Sequence, residues 1–210
     1  MSTRLLIADD HQLFREGIRT LLPPGEFVIV AEAADGREAI RLAQRHEPDI
    51  AVVDVSMPGL NGVDATREVL RASPRSKVLI LTMHREHPYV IEALRAGARG
   101  YVLKTQPAAE FLGALRDVAR GDVYVPQEYW SAIVESNQDG KAPLIDPLSA
   151  REREVLQLIA EGLTTKAIGV ALNISFKTAE SHRSRIMAKL DIHETASLVR
   201  YAIRRRLIEA

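Results

Sequence analysis

Five times in the first 120 residues, a short β-rich apolar run is followed by a stretch with helical spacing. The runs lie at residues 5–8, 27–31, 50–54, 78–82 and 100–103, and the helical stretches at 12–22, 36–45, 63–71, 88–96 and 108–120. Strict alternation of this kind specifies an α/β fold, a doubly wound five-stranded parallel sheet with helices on both faces. Strands covered on both faces should be apolar throughout, and Ala51-Val52-Val53 and Val78-Leu79-Ile80-Leu81 fit that expectation.

The pattern changes near Tyr129. Residues 135–147 are polar and carry Gly140 and two prolines, so 126–146 is expected to be a linker between a first domain, 1–125, and a second, 147–210. Ser149 and Glu152 then have the spacing of a helix-capping box. Val155, Leu156, Ile159 and Ala160 give that helix one buried face, and Gly162 stops it. Three further helical segments, 165–172, 176–190 and 194–206, complete an all-α four-helix module.

Charge separates the two parts. The formal net charge is zero, yet residues 1–125 carry 16 Lys/Arg against 17 Asp/Glu, residues 126–146 carry 1 against 4, and residues 147–210 carry 11 against 7. A basic C-terminal third hints at a polyanionic partner. The chain has no cysteine, which excludes disulfides, thiolate metal sites and cysteine nucleophiles. No apolar run approaches the roughly 20 residues of a membrane span. Met1-Ser2-Thr3-Arg4 leads directly into an apolar run without a signal-peptide layout, so the expected compartment is the cytoplasm.

Ligands of an open parallel sheet bind beyond the C-terminal strand ends, where the chain order reverses. Strand one ends in Asp9-Asp10, strand three in Asp54 and strand four in Thr82, and Lys104 follows strand five. A strand order of 2-1-3-4-5 would bring these five residues together. Carboxylates without thiols favour a hard cation with oxygen ligands, and Mg²⁺ suits such a set. Asp54, at the centre, can act as a nucleophile towards phosphorus. Lys104 would pair with a phosphoryl oxygen and Thr82 would donate a hydrogen bond to another. Taken singly, each of these is also an ordinary residue for a strand end.

Those residues sit in L-L-I-A-D-D-H-Q, V-V-D-V-S-M-P-G-L-N-G, L-I-L-T-M-H and G-A-R-G-Y-V-L-K. Through these stretches residues 4–120 resemble the receiver domain of a two-component response regulator, a flavodoxin-like fold. The resemblance implies that Asp54 is the phosphoacceptor and that Asp10, Asp54 and the backbone carbonyl of Ser56 bind Mg²⁺ directly. It makes Asp9 a support for the metal through water or an outer contact, Thr82 and Lys104 the switch hydroxyl and phosphate-pairing lysine, and Tyr101 the switch aromatic. Thr105-Gln106 departs from the family after Lys104, where an acidic residue often sits. His11 reads as a surface residue rather than a ligand.

Within the C-terminal module, T-T-K-A-I-G-V-A-L, a turn at Asn173-Ile174, and S-F-K-T-A-E-S-H-R-S-R-I-M-A-K-L form a helix-turn-helix. Helical spacing buries Ala179, His182, Ile186 and Leu190. Lys177, Glu180, Ser181, Ser184, Arg185 and Lys189 point away, on a helix bearing four positive charges against one negative. Such a face can gain affinity for double-stranded DNA by counterion release, or simply be solvated. Residues 146–208 are similar to the LuxR-type DNA-binding domain, and a receiver joined to that domain defines the NarL/FixJ class of response regulators. The resemblance puts Glu180, Ser181 and Ser184 on the groove-facing side, and makes Lys177, Thr178, Arg183, Arg185, Lys189 and also Lys166 candidates for phosphate contact. The last helix pairs DNA-bound copies in this family, which implies a homodimer on DNA.

Ala167, Gly169, Asn173 and Asp191 stand where Glu, Ala, Gly and Gly are more usual. Gly169 should cost about 1 kcal/mol relative to Ala in a helix. Asn173 can adopt the left-handed turn conformation, and Asp191 is poorly matched to a helix C-terminus.

The expected protein is a phosphorylation-dependent transcriptional regulator. It takes a phosphoryl group from a sensor histidine kinase, assists its own aspartyl phosphorylation and dephosphorylation, and is otherwise no enzyme. A phosphorylation-independent protein-binding module is disfavoured by the complete acidic set and the basic helix. A haloacid dehalogenase-like phosphatase needs D-x-D-x-T/V, which Asp54-Val55-Ser56-Met57 lacks.

Overall fold

The protein is described by a computed structural model over residues 2–138, 147–205 and 207–208. The chain divides into two compact units, one built on a sheet and one of four helices.

The sheet has five parallel strands in the order β2-β1-β3-β4-β5, formed by Phe27–Ala33, Thr3–Ala8, Ile50–Val53, Lys77–Thr82 and Gly100–Leu103. Helices α1 (Gln12–Leu21), α2 (Gly36–His46), α3 (Gly62–Ala72), α4 (His87–Ala96) and α5 (Ala108–Arg120) connect and follow them. Alternation along each strand divides the core. Leu5, Ile7, Ile50, Val52, Leu79, Leu81 and Val102 pack with Ile18 of α1 and with Phe111, Leu115 and Val118 of α5. The intervening Leu6, Ala51, Val53, Val78 and Ile80 are just as buried, as are Ala39, Ala43, Val69, Val90 and Ala93 of α2, α3 and α4. Both faces are thus covered, which is why residues 5–8, 50–53 and 78–81 are apolar throughout. The expected strand order and helix placement match this architecture, with ends shifted by one or two residues.

The third strand stops at Val53, one residue short of the expected end, and Asp54 stands just beyond it. Its amide still donates to Ala8 O at 2.8 Å, so backbone pairing to β1 continues through the residue that leaves the sheet. Asn61 then caps α3 by accepting from Asp64 N.

The segment expected to be a linker, 126–146, begins as helix. Gln127–Tyr129 forms a 3-10 turn and Trp130–Gln138 forms α6. Tyr129, at the end of the 3-10 turn, is only 2% exposed. Residues 139–146 lie outside the described residues.

The second unit comprises α7 (Ala150–Ala160), α8 (Thr165–Ala171), α9 (Phe176–Leu190) and α10 (Thr195–Arg204). The expected capping box is present, with Ser149 and Glu152 satisfying each other's backbone amides. Leu148, Val155, Leu156, Ile159, Ile168, Ala179, Ile186, Leu198 and Ala202 form its core. Leu190 packs at the margin of that core, and His182 is only partly buried. Asn173 and Asp191 both adopt the left-handed conformation, each with φ 51°.

Gly169 has a structural reason that helix propensity alone misses. A Cβ there would lie 3.0 Å from Ile174 O, so the turn before α9 crosses α8 where a side chain does not comfortably fit. Arg206, expected in the last helix, lies outside the described residues.

Candidate functional site: an acidic pocket and a basic helix

The sheet order places the C-terminal ends of β1 and β3 side by side at the point where the chain order reverses. Asp9 and Asp10 follow β1, and Asp54 follows β3. Thr82 ends β4, and Lys104 N donates to Thr82 O at 2.8 Å just past β5. Lys104 Nζ reaches across these ends, 2.7 Å from Asp9 Oδ2 and 2.7 Å from Asp54 Oδ2. The Phe14 ring lies against the same ammonium, 4.7 Å from its centroid. Asp9 is further held by His11 N, which donates to its Oδ1 at 2.9 Å.

Asp9, Asp10, His11 and Asp54 each present one ligand atom, all within 4.8 Å of one another. His11 is exposed, as expected, yet its Nδ1 belongs to this group and lies 2.7 Å from Asp10 Oδ1. Asp9 and Asp54 share a single ammonium, and Asp10 adds a third carboxylate. Lys104 alone therefore leaves negative charge uncompensated. An oxygen-rich donor set of this charge fits a hard divalent cation.

Burial pushes the Asp54 carboxyl up to about 6, with Lys104 opposing the shift and the Asp9 charge adding to it. Burial pulls the Lys104 ammonium down, but Asp54 and Asp9 outweigh it and the net shift is upward. Desolvation is the dominant influence on Asp54, because its one cation is divided between two carboxylates.

His84 links several of the remaining residues. Its amide donates to Thr82 Oγ1 at 3.2 Å and its Nε2 lies 2.8 Å from Ser56 Oγ. Its carbonyl accepts from Tyr101 Oη at 2.9 Å. Tyr101 is wholly buried, and burial pushes its phenol well above the usual range. Sequence reasoning missed His84, Phe14 and Gly62. The last has no room for a side chain: a Cβ would lie 1.9 Å from Asp54 O. The Asn-Gly pair marks Gly62 as the start of a helix. His84 closes the stretch L-I-L-T-M-H, but its contacts come from Ser56, Thr82 and Tyr101, which spacing along the chain does not bring together.

On α9, Lys177, Glu180, Ser184 and Arg185 are exposed, and Ser181 is half-buried. Ser175, Lys177, Thr178, Ser181, His182 and Arg185 line a shallow cavity of about 290 Å³. Lys166, on α8, is exposed. Two expected phosphate-contact residues are already engaged. Lys189 pairs with Glu152 at 2.7 Å, and Arg183 donates to Thr195 Oγ1 at 2.6 Å.

Residues 5–116 match the response regulator receiver domain family, and residues 146–202 match the luxR family of bacterial regulatory proteins. The chain belongs to the two-component response regulators that join a receiver domain to a LuxR-type DNA-binding domain. It is similar to the oxygen regulatory protein NreC of Staphylococcus carnosus (strain TM300), with 38% identity over 98% of this chain and 99% of that protein. Among solved structures it resembles a LuxR-family two-component response regulator from Aurantimonas sp. SI85-9A1, with TM-score 0.60 and 35% identity over 65% of this chain and 99% of that one. It also resembles RcsB from Salmonella enterica serovar Typhimurium bound to promoter rprA in the presence of phosphomimetic BeF3-. That match has TM-score 0.62 and 27% identity, over 96% of this chain and 98% of that one.

Proposed function

We propose that Asp54 accepts a phosphoryl group from a sensor histidine kinase, and that this modification controls promoter binding by α9. The observation that carries the reading is the convergence of Asp9, Asp54 and Lys104 within 2.7 Å contacts at the mouth of the sheet. An Asp54 carboxylate oxygen attacks phosphorus, the phosphorus–nitrogen bond of the kinase phosphohistidine breaks, and its electron pair returns to the imidazole. Lys104, already at hydrogen-bond distance, pairs with a phosphoryl oxygen, and the buried Thr82 hydroxyl donates to another. Asp9, Asp10, Asp54 and the Ser56 carbonyl would hold Mg²⁺. That ion supplies neutralisation of the developing phosphoryl charge. The same groups would assist hydrolysis of the aspartyl phosphate.

In the C-terminal unit, Glu180, Ser181 and Ser184 face the major groove, while Lys166, Lys177, Thr178, Arg183, Arg185 and Lys189 serve the phosphate backbone. Arg183 and Lys189 would have to exchange their present partners for phosphate. The likeness to RcsB bound to a promoter supports DNA as the partner. Two copies would pair through α10 on adjacent half-sites. The reading divides the chain into a receiver at 1–125, a connection at 126–146 and a DNA-binding domain at 147–210, acting in the cytoplasm. No helix among the described residues is long and apolar enough to cross a membrane.

Incubation with acetyl phosphate and Mg²⁺, followed by intact-mass measurement, tests the reading. The wild-type chain should gain one phosphoryl mass and Asp54→Asn none. Equal labelling of the two would remove Asp54 as the acceptor.

A further inference from the structure

Phe176, the first residue of α9, is 54% exposed. Among the described residues it is the large apolar side chain that α9 leaves in solvent, while Ile174 and Met187 pack against the helical core. A single exposed phenyl is ordinary on a protein surface. Its position is what distinguishes this one.

Ser175 caps α9 by accepting from Thr178 N, so Phe176 occupies the first helical position. Side chains tilt towards a helix N-terminus, and a phenyl there projects past the helix end. The turn entering α9 holds that end close on α8 because Gly169 has no side chain. A Cβ at Gly169 would lie 3.0 Å from Ile174 O and 3.7 Å from Phe176 N. In a helix-turn-helix, the N-terminal residues of the second helix are the ones that reach base edges. The first turn of α9 carries no acidic residue and Lys177 follows Phe176, so this end stays positive and suits a polyanion.

Two sides of the helix divide the work. Thr178 and Arg185 line the cavity and present a hydroxyl and a guanidinium, chemistry that suits a backbone phosphate. Phe176, Glu180 and Ser184 recur at intervals of four and share another side. A phenyl ring has no hydrogen-bonding atom, so it reads a base by apolar contact alone. In the major groove, thymine is the base that offers a methyl group. We propose that Phe176 selects thymine by packing on its C5-methyl group, beside the bases read by Glu180 and Ser184. This inference rests on α9 being the DNA-reading helix.

Selection from a randomised duplex pool by the full chain, with acetyl phosphate and Mg²⁺ present, supplies the site on which to test this. Replacing each thymine of that site in turn by deoxyuridine removes only the methyl group. At the position facing Phe176, the wild-type chain should then bind about fourfold more weakly, the worth of one buried methyl. Phe176→Ala should bind the thymine and uracil forms of that position equally, with unchanged salt dependence because no phosphate contact is removed. Phe176→Gln, whose amide can bond adenine N6 and N7, should lose the preference for thymine in favour of adenine. Wild-type binding indifferent to every uracil substitution overturns the inference. So does Phe176→Ala with the full uracil penalty, or Phe176→Gln with unchanged base preference. In those three cases α9 still reads DNA. A wild-type chain that enriches no sequence overturns the DNA-reading assignment of α9 itself, and the role of Phe176 falls with it.

Discussion

Asp54 and Glu152 are both buried carboxylates held by a lysine at 2.7 Å, one in each unit, yet they titrate in opposite directions. Burial drives Asp54 up to about 6, and Lys104, divided between Asp54 and Asp9, does not compensate. Burial also pushes Glu152 up, but Lys189 together with the backbone amide and hydroxyl of Ser149 outweighs it and holds the group at about 2. Glu152 sits in the first turn of α7, where the helix dipole favours an anion. The Lys189–Glu152 pair locks α9 to α7. The Asp54 pocket keeps an under-compensated anion that a bound cation would relieve. A lysine at the same distance therefore leaves the two carboxylates shifted in opposite directions, because Lys104 is shared by two carboxylates while Glu152 also accepts from Ser149.

Removing the shared cation should break the comparison most strongly. Lys104→Met leaves Asp9 and Asp54 facing each other with no ammonium, and should cost about 3 kcal/mol of sheet-unit stability at pH 7 with a chelator present. Urea melts should show most of that loss recovered by Mg²⁺, and part of it recovered near pH 5 as Asp54 takes up a proton. A loss indifferent to both would mean the lysine acts through packing.

Neutralising Asp54 should work the other way. The native group binds protons up to about pH 6 against 3.8 for an ordinary aspartate, so its contribution to stability falls as pH rises between those values. Asp54→Asn should thus be more stable than wild type by about 2 kcal/mol at pH 7 in metal-free buffer, with the gain vanishing near pH 4. Denaturant midpoints across that range measure it, and a gain independent of pH would refute the desolvation account.

Glu152 supplies the opposite sign. Its depressed value means a contribution fully present above about 4.5 and lost as pH falls towards about 2. Glu152→Gln should cost the helical unit about 1–2 kcal/mol at pH 7, a figure reduced because Lys189 is 42% exposed and screened by solvent. Melting of residues 148–204 followed by exchange should show the deficit narrowing in acid and in high salt. The smallest effect is expected at Gly169→Ala. The helix-propensity gain of about 1 kcal/mol should be cancelled by the 3.0 Å approach to Ile174 O, leaving the melting temperature nearly unchanged.

Much of the receiver site was legible because strand ends are legible. Once period and length mark five buried strands, Asp9, Asp10, Asp54, Thr82 and Lys104 fall at their C-terminal ends. The helix-turn-helix was legible from a short helix, a turn at Asn173-Ile174 and a longer basic helix. The burial of Tyr129 was not, since Tyr129-Trp130 marks no period and the partner Tyr101 is remote in sequence. Nor was the commitment of Lys189 to Glu152, because the two residues are far apart in sequence and a lysine on an exposed face reads the same whether paired or free.

The sequence by itself determined the alternation of strands and helices, the capping box at Ser149 and Glu152, and the identity of the acidic residues, since these depend on local spacing and chemistry. Tertiary structure decided the rest: which carboxylates share Lys104, how far burial lifts Asp54 while Lys189 and a helix N-terminus depress Glu152, why Gly62 and Gly169 carry no side chain, and that Tyr129 covers Tyr101. Each of these depends on distances between residues remote along the chain, and electrostatic shifts and close packing are set by those distances rather than by residue type.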